Sequence, residues 1–159
     1  MDKNEIISKV KNMYIMLLYA ISREDIDRVR QYLSDDLAKK YESIIKENIE
    51  NNLVQRYGEL NVSKVEIISE ENNVITLQLI AKYIDYKIDR KTKKYVSGET
   101  TRHSYYKTLK VSYNPDNKAI VYRCKNCGAQ LNVNLTSVCS YCGEPVDNED
   151  SLFVIESII

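Results

Sequence analysis

Four cysteines, Cys124, Cys127, Cys139 and Cys142, fall within the stretch CKNCGAQLNVNLTSVCSYC. The spacing is CxxC, eleven residues, CxxC, and Gly128 and Gly143 directly follow the two pairs. In such a pair the turn after the first cysteine points backbone amides at the thiolates, and the glycine supplies the permissive backbone the turn needs. Two knuckles joined by a short hairpin set four thiolates at the corners of a tetrahedron. Four soft ligands with no open position favour one structural Zn(II). Two disulfides, in any of three pairings, need an oxidising compartment. A redox CxxC of the thioredoxin kind opens a helix after a strand, and neither pair stands in that context. A rubredoxin-type iron site separates its knuckles much further. Catalytic zinc keeps a water among its ligands, so this ion is expected to fold a segment too small to hold a core.

A second set of residues suggests a cavity. Tyr83 and Asp85 lie on the apolar side of an alternating run, and the single histidine, His103, lies in a later one. General acid–base work needs a carboxyl or imidazole in a water-poor setting, and Asp85 is the one obvious candidate. A lone histidine on a strand face more often completes a core or a cavity edge than acts on a substrate. The chain is expected not to be an enzyme, and a small-ligand or enzymatic cavity at Tyr83, Asp85 and His103 is the third reading.

Charge supplies a third set. Over 159 residues, 23 basic and 23 acidic side chains cancel. Their distribution is uneven: residues 1–81 carry 11 basic and 14 acidic groups, 82–125 carry 12 and 4, and 126–159 carry 0 and 5. The densest basic cluster is Arg90, Lys91, Lys93 and Lys94, on a loop suited to anionic headgroups. Tyr83, Tyr86, Tyr105 and Tyr106 interleave with Lys82, Lys87, Arg102 and Lys107. That mixture also suits single-stranded nucleic acid, which stacks bases on rings and sets phosphates against lysine and arginine. Nucleic-acid binding through residues 82–125 is therefore the alternative reading.

The elements that must position these groups follow from periodicity. Residues 4–21 place Ile6, Val10, Met13, Leu17 and Ile21 three and four apart, an amphipathic helix. Ser22 and Asp25 form an S-x-x-D start for a short second helix carrying Ile26, Val29, Tyr32 and Leu33. Ser34 caps a third, with a stripe from Leu37 through Tyr41, Ile45 and Ile49 to Leu53, expected to stop near Gly58. The period then changes to two. Strands are expected at 62–69, 74–88, 100–113, 119–123 and 152–159, with 89–98 a polar loop. Phe153, Ile155 and Ile159 are expected to face inward. The longest apolar run, MYIMLLYAI, is far short of the roughly 20 residues that span a bilayer. The first residues show no secretory signal, and no GxGxxG or GxxxxGK loop is present to cradle phosphates.

Helices followed by long strands describe an α+β domain, N-terminal helices packed on a curved antiparallel sheet. Residues 1–123 plus 151–159 form the cone-like domain, and 124–150 form a zinc ribbon inserted before the last strand.

The helices, the strand ending in AKYIDYKID, the CxxCGAQL…CxxCG insert and the closing SLFVIESII together resemble bacterial members of the Tim44-like domain family. Those members carry a zinc ribbon before the last strand, on a cone like that of nuclear transport factor two. The resemblance covers nearly the whole chain, and the ribbon is its specific part. It implies a non-catalytic module with an apolar cavity, docking at membranes or on protein partners. Family members usually place a Trp in the closing strand, where this chain has Leu152 and Phe153. The chain is thus expected to be a zinc-stabilised adaptor for a protein partner or an acidic membrane surface. Its expected location is cytoplasmic, peripheral at the inner face of the membrane.

Overall fold

The computed structural model describes residues 2–113, 122–123, 126–131, 141–143 and 153–159. Its first helix, α1 (Lys3–Arg23), begins where Asp2 accepts a hydrogen bond from the Glu5 amide at 2.9 Å. It ends at Glu24, whose φ of 60° is left-handed, with the Asp25 amide bonding back to the Ala20 carbonyl at 2.9 Å. The apolar stripe from Ile6 to Ile21 is buried along its length.

The expected second helix is instead two 3₁₀ turns, Ile26–Arg28 and Arg30–Tyr32. Ser22 caps nothing there, and Asp25 takes the Arg28 guanidinium at 2.8 Å instead of an amide. The apolar residues explain the difference. Ile26, Val29 and Tyr32 recur every three residues, the 3₁₀ period, and all three are buried.

Helix α2 (Asp35–Glu50) is capped by Ser34, whose hydroxyl accepts from the Leu37 amide at 3.3 Å. It stops eight residues before Gly58, because Asn52 turns left-handed with φ 61°. Strand β1 (Leu53–Glu71) starts at once, so Leu53 belongs to the sheet. Its pairing with β2 (Val74–Asp89) shifts register at three places, 58/61, 62/64 and 67/69. Such bulges bend a strand and curve the sheet around the helices. Asn72 and Asn73, both at positive φ, make the tight turn between the two strands.

The loop expected at 89–98 contains a further strand, β3 (Tyr95–Gly98), paired with β2 beyond the end of β4 (His103–Tyr113). Strand β7 (Phe153–Ile158) completes an antiparallel sheet of order β1-β2-β4-β7. Phe153 and Ile155 are fully buried, but Ile159 is 81% exposed. A register shift between Lys110 and Val111 changes the phase of alternation, so Ile158, not Ile159, lies opposite Leu109. The core is sealed by Leu17 from α1 and by Ile75, Leu77, Leu79, Leu109, Phe153 and Ile155 from the sheet. Ser34 fastens the helical layer to β7, its amide bonding the Ile155 carbonyl at 2.9 Å and its hydroxyl the Glu156 carbonyl at 3.1 Å.

The fold is thus α+β, with two helices on a curved, cone-like antiparallel sheet. Among the described residues, strands β5 (Tyr122–Arg123) and β6 (Gln130–Leu131) pair with each other and not with the main sheet. Residues 119–121, the NPDN turn and most of the expected 124–150 ribbon lie outside the described residues.

Candidate binding sites

Alternation along β2 sends odd-numbered side chains under the helices. Tyr83 is 4% exposed, and its hydroxyl lies 3.5 Å from that of Tyr14 on α1. The Tyr105 ring stacks on it at 4.1 Å, nearly parallel, and Tyr57 from β1 meets it edge-on at 5.3 Å. Asp85, two residues on, accepts a hydrogen bond from the Gln55 amide at 2.6 Å. Burial pushes the Tyr83 phenol up to about 12; burial and then the Asp85 charge raise Tyr57, and burial and then the contact with Tyr83 raise Tyr14. These hydroxyls stay protonated at neutral pH and act as neutral hydrogen-bonding groups near Asp85.

Glu99 closes the rim of this cluster. Its Oε1 accepts from the Tyr105 hydroxyl at 2.5 Å and from the Asp85 amide at 2.8 Å. His103 Nδ1 lies 2.9 Å from Glu99 Oε2 and 2.8 Å from the Thr101 carbonyl. The Tyr105 bond holds the Glu99 carboxyl below the usual range, and the same bond with burial raises Tyr105. Tyr83 and Asp85 therefore come together as the strand pattern implies. His103 is opposite Tyr83 in the β2–β4 register, but its ring is half exposed and turned to Glu99 and Thr101. Glu99, Gln55, Tyr57 and Tyr14 were not anticipated. Gln55 and Tyr57 lie in the stretch read as helix, where alternation running back to Leu53 would have found them.

The basic loop is a tight turn at the tip of β2 and β3. Asp89 Oδ1 accepts the amides of Lys91 and Thr92 at 2.9 and 2.8 Å, which holds its carboxyl below the usual range. Lys93 takes a left-handed φ of 63°. Residues 91–98 are all exposed, including Tyr95 and Val96. Lys91, Lys93 and Lys94 form no ion pair among the described residues. Arg90 differs: its guanidinium grips Glu24 at 2.8 and 2.6 Å and the Leu53 carbonyl at 2.9 Å.

The interleaved tyrosines do not form one platform. Tyr83 and Tyr105 stack inside, Tyr86 is half-buried near Tyr95 at 6.4 Å, and Tyr106 points outward, 73% exposed.

Of the four cysteines, Cys127 and Cys142 are described and exposed, whereas Cys124 and Cys139 lie outside the described residues. Gly128 and Gly143 are left-handed, with φ of 76° and 79°, as a CxxCG knuckle requires. The β5–β6 pair brackets the first CxxC. No group of three or more metal-ligating side chains gathers among the described residues.

No helix among the described residues is long and apolar enough to cross a membrane. A search of curated proteins finds no match. Among solved structures, the chain is similar to the intermembrane space region of the chloroplast protein ARC6. That likeness has a TM-score of 0.47 and 15% identity, covering 72% of this chain and 88% of that one. The model of a family described as the Tim44-like domain matches residues 1–110, through both helices and most of the sheet. The chain belongs to the Tim44-like domain family.

Proposed function

We propose that this protein is a non-catalytic adaptor, stabilised by one structural Zn(II), that docks on an acidic membrane surface through its lysine hairpin. Members of its family interact with proteins or membranes and are in general not enzymes. The observation that carries the reading is the run of eight exposed residues at 91–98. Three lysines project there beside half-exposed Tyr95 and Val96. Lysine near an anionic leaflet contributes ~1 kcal/mol each, and the tyrosine and valine add apolar contact at the headgroup level. Docking is then peripheral, at the cytoplasmic face of a membrane. Zn(II) would be held by Cys124, Cys127, Cys139 and Cys142, and the left-handed Gly128 and Gly143 fit that site.

Sedimentation with vesicles tests the reading. Wild type is expected to pellet with phosphatidylserine-containing vesicles but not with pure phosphatidylcholine, and to release as salt rises. The Lys93→Glu, Lys94→Glu variant is expected to stay in the supernatant. Equal sedimentation of wild type and variant would exclude docking by this hairpin.

A further inference from the structure

We propose that the outer face of the sheet, around Tyr106, binds single-stranded nucleic acid. Strand register builds the site. Even-numbered residues of β2 and β4 face away from the helices, so Tyr106 lies opposite Ile80, which lies opposite Lys64 on β1. The next rows are Asn61, Lys82, Ser104 on one side and Glu66, Gln78, Thr108 on the other. A shallow cavity of about 270 Å³ opens among Lys64, Glu66, Gln78, Ile80, Tyr106 and Thr108.

The Tyr106 ring makes no aromatic contact, and its hydroxyl no hydrogen bond, among the described residues. An exposed ring stacks on a base of any identity. Gln78, Ser104 and Thr108 around it offer hydrogen bonds to base edges, a polar setting that acyl chains would not favour. Lys64, Lys82 and Lys110 provide the cations. Lys82 and Lys110 form no ion pair among the described residues, and Lys64 is 3.7 Å from Glu66 with both side chains more than half exposed. Two further acidic groups of the face lie at its Ser112 end, just beyond Lys110, and Glu59 is exposed in the β1 bulge beside Asn61. Glu71 aligns through Val74 with Ser112, and Glu156 bonds the Ser112 hydroxyl at 2.7 Å.

Spacing decides between a nucleotide and a strand. Lys82 pairs with Ser104, six residues from Lys110, so the two lysines are offset by about 20 Å along the sheet. One nucleotide cannot reach both; a strand of several can. A duplex keeps its bases stacked and offers none to a single protruding ring.

Fluorescence anisotropy with labelled oligo-dT and oligo-U tests the proposal, using AMP and a duplex of equal length as competitors. Binding to the single strands is expected, with affinity falling as salt rises at a log–log slope of about −2 for three phosphate contacts. Tyr106→Ala is expected to weaken it about ten-fold and Tyr106→Phe to leave it unchanged, since the ring and not the hydroxyl is used. Lys82→Glu with Lys110→Glu is expected to flatten the salt slope. These side chains are exposed, and thermal melts matching wild type establish that each variant is folded. The Lys93→Glu, Lys94→Glu variant is expected to bind as wild type does, which separates this face from the membrane-docking hairpin. No binding at low salt overturns the proposal. So does competition by AMP or duplex as strong as by single strand, unchanged affinity in Tyr106→Ala, or loss of binding only in the hairpin variant.

Discussion

Arg90 and Glu24 form a two-pronged ion pair, Nη1 to Oε1 at 2.8 Å and Nη2 to Oε2 at 2.6 Å, that fastens the end of α1 to the base of the lysine hairpin. The same guanidinium bonds the Leu53 carbonyl at the start of β1, so three elements meet at one side chain. Paired forks of this kind fix geometry better than a lysine would. Arg90 therefore positions the hairpin, while its neighbours Lys91, Lys93 and Lys94 face the solvent.

Arg90→Ala is expected to lower the melting temperature by several degrees and to speed hydrogen exchange at residues 89–94. Lys93→Glu with Lys94→Glu should melt as wild type does. An Arg90→Ala variant with unchanged melting and exchange would reduce the pair to an incidental surface contact.

The tyrosine cluster predicts alkaline sensitivity. Burial pushes the phenols of Tyr41 and Tyr83 up to about 12, against about 10 for an exposed tyrosine. Their ionised forms are favoured in the unfolded chain, so their contribution is complete below about pH 10 and is lost as pH rises towards 12. Urea midpoints are expected to hold between pH 7 and 9 and to fall steeply from pH 10. Absorbance at the tyrosinate band should show Tyr41 and Tyr83 ionising only with unfolding. One smooth titration of all thirteen tyrosines in the folded protein would contradict the buried network.

Local chemistry made much of this fold legible and long-range pairing the rest. The stripe of α1, the Ser34 cap and the alternation of Ile75, Leu77, Leu79 and Ala81 are visible in short windows, and all these residues act as their pattern implies. The 22–33 segment misleads because an S-x-x-D start and a three-residue apolar spacing point to different helices, and the spacing prevails. The missed beginning of β1 has a similar cause: Leu53 continues the α2 stripe, and only the left-handed Asn52 breaks it. Nothing in DRKTKK distinguishes Arg90 from the lysines beside it, since its partner Glu24 lies 66 residues away. Glu99 follows β3 with no pattern of its own to mark it, and its contacts, the amide of Asp85, the hydroxyl of Tyr105 and the imidazole of His103, come from β2 and β4.

Phe153 tests how far the core depends on its last strand. It is fully buried, stacked on Tyr113 at 5.0 Å with the Lys9 ammonium 5.6 Å from its ring. Phe153→Ala is expected to cost about 3–5 kcal/mol in urea unfolding, a large share of a typical domain's stability. Ile159→Ala, at an exposed position, should stay within about 0.5 kcal/mol. Similar costs for the two would mean that β7 is not seated as described.

Zinc removal should be felt in that same strand. The residues between β4 and β7 include all four cysteines, and β7 reaches its place only after the chain has traversed them. The proposed Zn(II) site, tying 124 to 142 through one ion, would shorten the effective loop between the two strands and lower the entropy lost on pairing them. Native mass spectrometry of protein purified without added metal is expected to show one zinc per chain, absent in Cys139→Ser. In that variant, or after chelation, the β7 amides bonded to β4 should exchange faster while those shared by β1 and β2 keep their protection. Equal protection of β7 with and without metal would show that the ribbon folds independently and contributes nothing to the cone.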